Sequence, residues 1–107
     1  MTGQQFIALA LSFPAVEQKP HFDRKGFAVP GHRMFATWLE TDNTANIFLR
    51  PEEQSVFCQM DSHHIFPVPN KWGEKGATTF ELNKVSAAFV QEALLSAFND
   101  TLKVKKK

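Results

Sequence analysis

The chain has 107 residues, a formal net charge of +1 and a hydrophobic content of 43% that includes 11 Phe and 2 Trp. This length and composition predict a single domain with one core, and they exclude a disordered chain. No apolar run approaches the ~18 residues of a membrane span, so we expect a soluble protein without a membrane partner.

The charge is distributed unevenly along the chain. Four of the 12 basic residues lie at positions 103–107, which we interpret as a lysine-rich tail after a single domain of residues 1–102; the body keeps 8 basic and 11 acidic groups. An acidic body argues against nonspecific nucleic-acid binding by the whole surface. One basic cluster remains inside the predicted fold, at residues 19–33, against Asp23 alone; it contains Lys19, His21, Arg24, Lys25, His32 and Arg33.

The first predicted element is a helix. Thr2 and Gln5 have the spacing of a capping box, and apolar residues recur at helical spacing until Pro14 ends the run. The stretch FIALALSF therefore belongs to a helix and not to a signal segment, since no Lys or Arg precedes it. Cys58 is the single cysteine, which fits a reducing compartment and predicts a cytoplasmic protein.

Three strands are predicted next. Residues 27–29 and 34–39 are short apolar runs around Pro30 and Gly31, the pair that a type II turn requires. A turn cluster at residues 41–44 precedes a strand at 46–50. These segments predict antiparallel strands that follow one another in the chain.

The second half of the chain predicts a helix, a strand and a final helix. Pro51 and two following acids open a helix that we expect to bury Val56, Phe57 and Met60. An extended, proline-containing segment at 66–69 and a loop at 70–76 lead to a strand at 77–82. Ser86 is the predicted cap of the last helix, whose apolar face is the clearest in the sequence: Phe89, Val90, Ala93, Leu94, Ala97 and Phe98.

The order α-β-β-β-α-β-α predicts an α+β fold, an antiparallel sheet with helices packed on one face. No repeat or second domain is predicted. An exposed edge strand permits pairing of two copies, so we expect a monomer or weak dimer.

Four residues near the end of the second predicted helix are candidates for catalysis or metal binding: Cys58, Asp61, His63 and His64. Their residue types suit zinc, but adjacent histidines do not face one ion without unusual backbone, and a His near a helix C-terminus is favoured there by the dipole. Cys58 beside Phe57 predicts a packed thiol, not a nucleophile. We therefore assign no catalytic residue, metal or cofactor, although an enzyme with Cys58 or the two histidines at its centre stays a third hypothesis.

Several short stretches together resemble the MmcQ/YjbR-like family of small bacterial proteins. The resemblance covers nearly the whole chain and rests on ALSFPAVEQKPHF, GFAVPGHRMFATW, LRPEE, FPVPNKWGEKGATTFEL and the closing helix. It departs from the family at Ala77, where many members have Trp. The resemblance implies a YjbR/frataxin-like fold, compared also with double-wing DNA-binding folds, and a DNA-binding label that is a fold analogy. The acidic first helix of frataxins is absent from residues 1–16, so iron binding does not carry over.

Two functions follow as expectations. The first is a small non-enzymatic DNA-binding protein, with phosphate contacts from Lys19, Arg24, Lys25, His32, Arg33, Lys71 and Lys75. The alternative is a protein-interaction or small-ligand module that uses a cleft beside the loop of residues 66–76, with Phe66 and Trp72 in it. For Trp72 itself we favour packing of its ring over the sheet edge, with Gly73 and Gly76 adopting positive φ.

Overall fold

The computed structural model describes residues 1–103 and contains ten helices and strands within them. The helices are α1 (Gly3–Leu11), α2 (Pro51–Met60), α3 (Lys71–Glu74) and α4 (Ala87–Lys103). The strands are β1 (Glu17–His21), β2 (Arg24–Ala28), β3 (Ala36–Leu39), β4 (Thr44–Phe48), β5 (Ile65–Pro67) and β6 (Ala77–Glu81). Lys103, the first residue of the predicted tail, ends α4; the rest of that tail, 104–107, lies outside the described residues. No helix among residues 1–103 has the length and apolar character needed to cross a bilayer.

All six strands form one antiparallel sheet, in the order β1-β2-β3-β4-β6-β5. The α+β class is therefore confirmed, but the predicted order α-β-β-β-α-β-α is incomplete. It lacks the two edge strands, β1 and β5, and the short helix α3. Four of the five β1 side chains are exposed. The sequence of β1 therefore lacks the alternation of apolar and polar residues from which a strand is predicted.

The helices pack on one face of the sheet. Strand register places Phe27 beside Ala36 and Ile47, and Trp38 beside Ala45 and Phe80, on a common face. Phe6 of α1 contacts Phe27 edge to face, and Phe57 of α2 contacts Phe80 in the same way. Phe98 of α4 closes this core against Phe13 and Phe35.

The opposite face has no helix among the described residues. One row of cross-strand partners runs across it from β1 to β5: Lys19, Gly26, Thr37, Asn46, Thr79 and Phe66. Thr79 Oγ1 donates a hydrogen bond to Asn46 Oδ1 at 2.8 Å. The side chain of Met34 covers Gly26 and occupies the space that a Cβ at this position would need. This face is therefore mainly polar, as is usual for an antiparallel sheet with one uncovered side.

The helix starts predicted for α1 and α2 are confirmed. Thr2 accepts from the Gln5 backbone N–H at 3.1 Å and Gln5 accepts from the Thr2 N–H at 2.8 Å, which completes the capping box. α2 begins at Pro51 as predicted, with two acidic residues in its first turn. Both starts depend on interactions within one helical turn, which is why they could be predicted from short sequence patterns.

The burial predicted for α2 is wrong at two of three positions. Phe57 is buried, but Val56 is 56% exposed and Met60 is 44% exposed. Gln54 is buried in their place, and its Nε2 donates to the carbonyls of Gly73 at 2.9 Å and Ala77 at 3.1 Å. The inward face of α2 is set by these contacts to α3 and β6, which lie far along the chain.

The turn between β2 and β3 forms as predicted at Pro30 and Gly31. Gly31 has a φ of +85°, and His32 N donates to the carbonyl of Val29 at 2.9 Å, as in a type II turn. The connection then docks on α4: His32 Nδ1 lies 3.1 Å from the Thr101 carbonyl. Thr101 Oγ1 donates to the carbonyl of Arg33 at 2.8 Å.

The segment between β5 and β6 is a one-turn helix and not only a loop. Asn70 caps it by accepting from the Trp72 N–H at 2.8 Å. The expected packing of Trp72 over the sheet edge is wrong, because its side chain is 66% exposed. Of the two glycines, Gly76 has a positive φ of +117°, whereas Gly73 is needed because a Cβ there would lie 1.8 Å from the carbonyl oxygen of Val68.

Candidate nucleic-acid interface

Three of the predicted basic residues lie together on the β1–β2 hairpin. Lys19 pairs with Gly26 in the ladder, and the last pair before the turn is His21 with Arg24. Because side chains alternate along a strand, Lys19 and Arg24 share the helix-free face, while Lys25 is on the other. Arg24 Nη1 is buried and has no hydrogen-bond partner among residues 1–103, so this guanidinium keeps a donor that the fold does not use.

Phe22 forms the tip of this hairpin and was missed by the sequence analysis. It is the first residue of a two-residue turn, has a φ of +57° and leaves 94% of its side chain exposed. Its ring has one aromatic neighbour, His21, at a centroid distance of 4.9 Å. The motif HFDR places a bulky aromatic where a tight hairpin turn favours Gly, Asn or Asp, and this is the signal by which Phe22 could have been found.

A surface depression of about 350 Å³ lies beside the hairpin tip. Pro20, Phe22, Lys25 and Trp38 contribute to its lining, and so do two carboxylates, Asp23 and Glu40. Lys25 Nζ lies 5.4 Å from the centroid of the Trp38 ring, a cation–π distance. Trp38 is held in place by the hydrogen bond from its Nε1 to Asn43 Oδ1 at 2.8 Å. The depression thus combines aromatic, cationic and anionic groups.

His32 and Arg33 are not close to the hairpin tip. Since β1, β2 and β3 are successively antiparallel, the β2–β3 connection lies at the opposite end of the sheet from the β1–β2 turn. A five-residue strand spans about 17 Å, which separates the two ends. The contacts of His32 and Arg33 with α4 give both residues a structural role at that end.

The charge of Arg33 is partly neutralised by an ion-pair network. Its Nη2 lies 3.2 Å from Asp100 Oδ2, and Arg50 lies 3.8 Å from the same carboxylate. Arg50 also pairs with Glu53 at 3.4 Å, and Ser96 donates a hydrogen bond to Glu53. Burial alone would raise the pKa of Glu53, but the hydrogen bonds from Ser96 and Arg50 outweigh it and hold that pKa below its usual value.

Lys71 and Lys75 lie at the other edge of the sheet from the hairpin. They belong to the connection between β5 and β6, whereas β1 is the opposite outer strand. Five spacings between neighbouring strands correspond to about 24 Å. Lys75 Nζ lies 5.4 Å from the Trp72 ring centroid, so this edge has a basic and aromatic pair of its own. The seven predicted basic residues therefore form three separate groups and not one patch.

The residues predicted to line a ligand cleft lie near one edge. Phe66 is on β5, 36% exposed on the helix-free face, and Trp72 is on the α3 segment that follows. The depression beside the hairpin is lined by other residues, as is a second one of about 370 Å³ near Met1 and Gln91.

The residues considered for catalysis form a local structural group. His64 Nδ1 lies 3.0 Å from Asp61 Oδ1, at the C-terminal end of α2. Cys58 is half-buried against the core, and burial raises the pKa of its thiol, which favours the protonated form. Residues 1–103 contain no group of three or more His, Cys, Asp or Glu side chains suited to hold a metal ion.

Comparison with known proteins gives a likeness in fold. Neither family models nor curated proteins match the chain. The chain is similar to the crystal structure of protein DR2400 from Deinococcus radiodurans, described as a DUF419 domain, with a TM-score of 0.81 and 20% sequence identity. The superposition covers 95% of this chain and 79% of DR2400. This likeness supports the α+β fold that the sequence predicts.

Proposed function

We propose that this chain is a small non-enzymatic DNA-binding protein of the MmcQ/YjbR-like family and that its β1–β2 hairpin is the contact surface. One observation carries the proposal: an exposed aromatic tip, Phe22, has three cations close to it on the two strands of the hairpin, Lys19 on β1 and Arg24 and Lys25 on β2. Cations position a protein on the phosphate backbone, and an exposed ring offers a surface to bases.

The acidic body limits the mode of binding. The domain of residues 1–102 has more acidic than basic residues, so a broad electrostatic contact would be repelled by DNA. A narrow protruding hairpin that brings only its own cations to the phosphates avoids this repulsion. We therefore propose a small contact area and an affinity in the range of nonspecific complexes, a Kd of about 10⁻⁴–10⁻⁶ M at physiological salt.

The test is fluorescence anisotropy of labelled DNA at several salt concentrations. The double variant Arg24→Glu/Lys25→Glu is compared with Lys71→Glu/Lys75→Glu, which makes the same charge change at the opposite edge. Loss of two phosphate contacts should reduce the slope of log K against log salt by about 2 for the hairpin variant only. Equal affinity of the hairpin variant and the unmodified chain would contradict the proposal.

The lysine-rich tail needs a separate control, because its four positive charges can bind DNA phosphates without the hairpin. Replacement of all four tail lysines, Lys103, Lys105, Lys106 and Lys107, by Gln in the full chain removes four positive charges. Binding that survives this change and still depends on Arg24 and Lys25 supports a site on the hairpin. Binding that disappears with the tail charges would assign the contact to the tail.

The alternative is a protein-interaction or small-ligand module at the β5 edge. It is favoured by the exposure of Phe66 and Trp72, large apolar side chains near one edge strand. Trp72→Ala and Phe66→Ala distinguish the two functions, since neither change alters a charge of the hairpin. Unchanged DNA binding in both variants fits the proposed hairpin site, and loss of DNA binding in either contradicts it.

A further inference from the structure

The conformation of Phe22 lacks an explanation in the stability of the fold. A left-handed φ is unfavourable for a bulky residue, and the ring is almost completely in water. Gly, Asn or Asp would form the same turn without strain and without an exposed apolar surface. Strained, exposed residues that packing does not require are frequent at functional sites.

The position of Phe22 suits insertion of its ring between bases. Phe22 and Asp23 form a tight two-residue turn, so the Phe22 ring lies at the outermost point of the hairpin. Lys19 is three residues before Phe22, about 10 Å along β1, whereas Lys25 lies opposite Pro20 and Arg24 opposite His21, which puts them only two and one residues back from Phe22 along the hairpin, about 7 Å and about 3 Å. This arrangement places cations behind the ring, where they can contact the phosphates on either side of a base that the ring touches.

The depression beside the tip provides room for that base. Its volume of about 350 Å³ is within the range of small-molecule sites, and Phe22 and Trp38 both contribute aromatic surface to it. Asp23 and Glu40 in its lining can accept hydrogen bonds from the exocyclic amino groups of a base, and the cations Lys19, Arg24 and Lys25 line the depression as well. The lining thus offers aromatic surface and carboxylates to a base and cations to the phosphates that flank it.

We propose that Phe22 is a stacking residue and that the hairpin binds DNA with an unstacked base, in single-stranded or locally distorted form, in preference to an intact duplex. The inference rests on the proposed DNA-binding function and specifies the substrate class of the same site. In an intact duplex both faces of each base are covered by neighbouring bases, so a ring at the hairpin tip has no surface on which to stack.

The test compares three labelled probes of one sequence: a single strand, a perfect duplex and a duplex with a central unpaired bulge. The protein variants are Phe22→Asn, which suits the turn but removes the ring; Phe22→Trp, which keeps an aromatic ring; and Trp72→Ala, which removes another exposed ring at the opposite edge. We expect the unmodified chain to bind the single strand and the bulged duplex at least 5-fold more tightly than the perfect duplex.

Phe22→Asn should weaken binding to the single strand and the bulged duplex about 5- to 150-fold, the range measured for loss of one stacked aromatic. Its affinity for the perfect duplex should stay within about 2-fold, because the phosphate contacts remain. Phe22→Trp should restore the preference, and Trp72→Ala should not change it. Thermal unfolding of each variant identifies any that does not fold.

The outcomes separate the inference from the function on which it rests. Absence of binding to all probes, or binding unaffected by Arg24→Glu/Lys25→Glu, overturns the proposed function. Charge-dependent binding without a preference for unpaired bases, or with a preference that survives Phe22→Asn, overturns the inference alone. Phe22-dependent binding to phosphatidylcholine–phosphatidylserine vesicles, without binding to the single strand, would also overturn it and assign the ring to a membrane surface.

Discussion

Replacement of Phe22 by Asn should stabilise the fold, although a large apolar side chain is lost. The ring is 94% exposed, so about 6% of its surface leaves water on folding. For a side chain of roughly 200 Å² and 25 cal/mol per Å², this burial contributes about 0.3 kcal/mol. A left-handed φ costs a non-glycine residue about 1–2 kcal/mol, and Asn tolerates that conformation far better. The expected net gain is about 0.5–1 kcal/mol, or about 2–6 °C in melting temperature.

Urea and thermal unfolding followed by circular dichroism measure this gain. Phe22→Ala is the matched control, because it removes the same ring but keeps a Cβ residue at positive φ. We expect the control to differ from the unmodified chain by less than about 0.5 kcal/mol. If Phe22→Asn destabilised the fold by more than 1 kcal/mol, the ring would have to be packed in solution, and the argument that Phe22 is kept for binding would be refuted.

Three further predictions concern the packing of α2 and of the segment between β5 and β6, away from the hairpin. Gly76→Ala should lower the free energy of unfolding by about 2–4 kcal/mol, because its Cβ would lie 1.7 Å from the Leu49 carbonyl oxygen and its φ is +117°; a loss below 1 kcal/mol in urea unfolding would contradict this. Gln54→Met should cost about 1–2 kcal/mol, since two hydrogen bonds are lost but both carbonyls keep a backbone donor; a neutral result would show that the amide is not buried in solution. The lowered pKa of Glu53 means that its contribution to stability is present above about pH 4.5 and is lost as the pH falls through the folded-state value. Glu53→Gln should flatten the fall in urea midpoint below pH 4.5, and an unchanged pH profile would exclude this role.

Elements that depend on neighbouring residues could be predicted from the sequence. The capping box of Thr2 and Gln5 started α1, and the Pro30-Gly31 pair formed its turn, because each involves bonds within a few positions. The apolar face of α4 was also correct, with all of its predicted residues buried except Phe89, which is half-buried. In a long amphipathic helix, the helical spacing of the apolar residues identifies the buried face directly from the sequence.

The edge strand β1 and the buried face of α2 could not be predicted in this way. β1 reads EQKPH, which is polar and contains Pro, and it is a strand because β2 offers it hydrogen-bond partners. Val56 and Met60 looked like core residues, but α2 turns Gln54 inward to bond Gly73 and Ala77. The partners of Gln54 lie 19 and 23 residues along the chain, whereas β1 pairs with the adjacent strand β2. In both cases pairing decided the outcome, and local propensity did not.

The candidate site shows the same division. Residue identities alone establish which residues are basic, that Lys19, Arg24 and Lys25 are near one another in the chain, and that the body of the domain is acidic. The folded chain shows that Lys71 and Lys75 lie at the opposite edge, that Arg33 pairs with Asp100, and that Phe22 projects from a hairpin tip. Charge and turn preference are properties of individual residues, whereas the exposure of a side chain and its neighbours depend on which strands and helices pair.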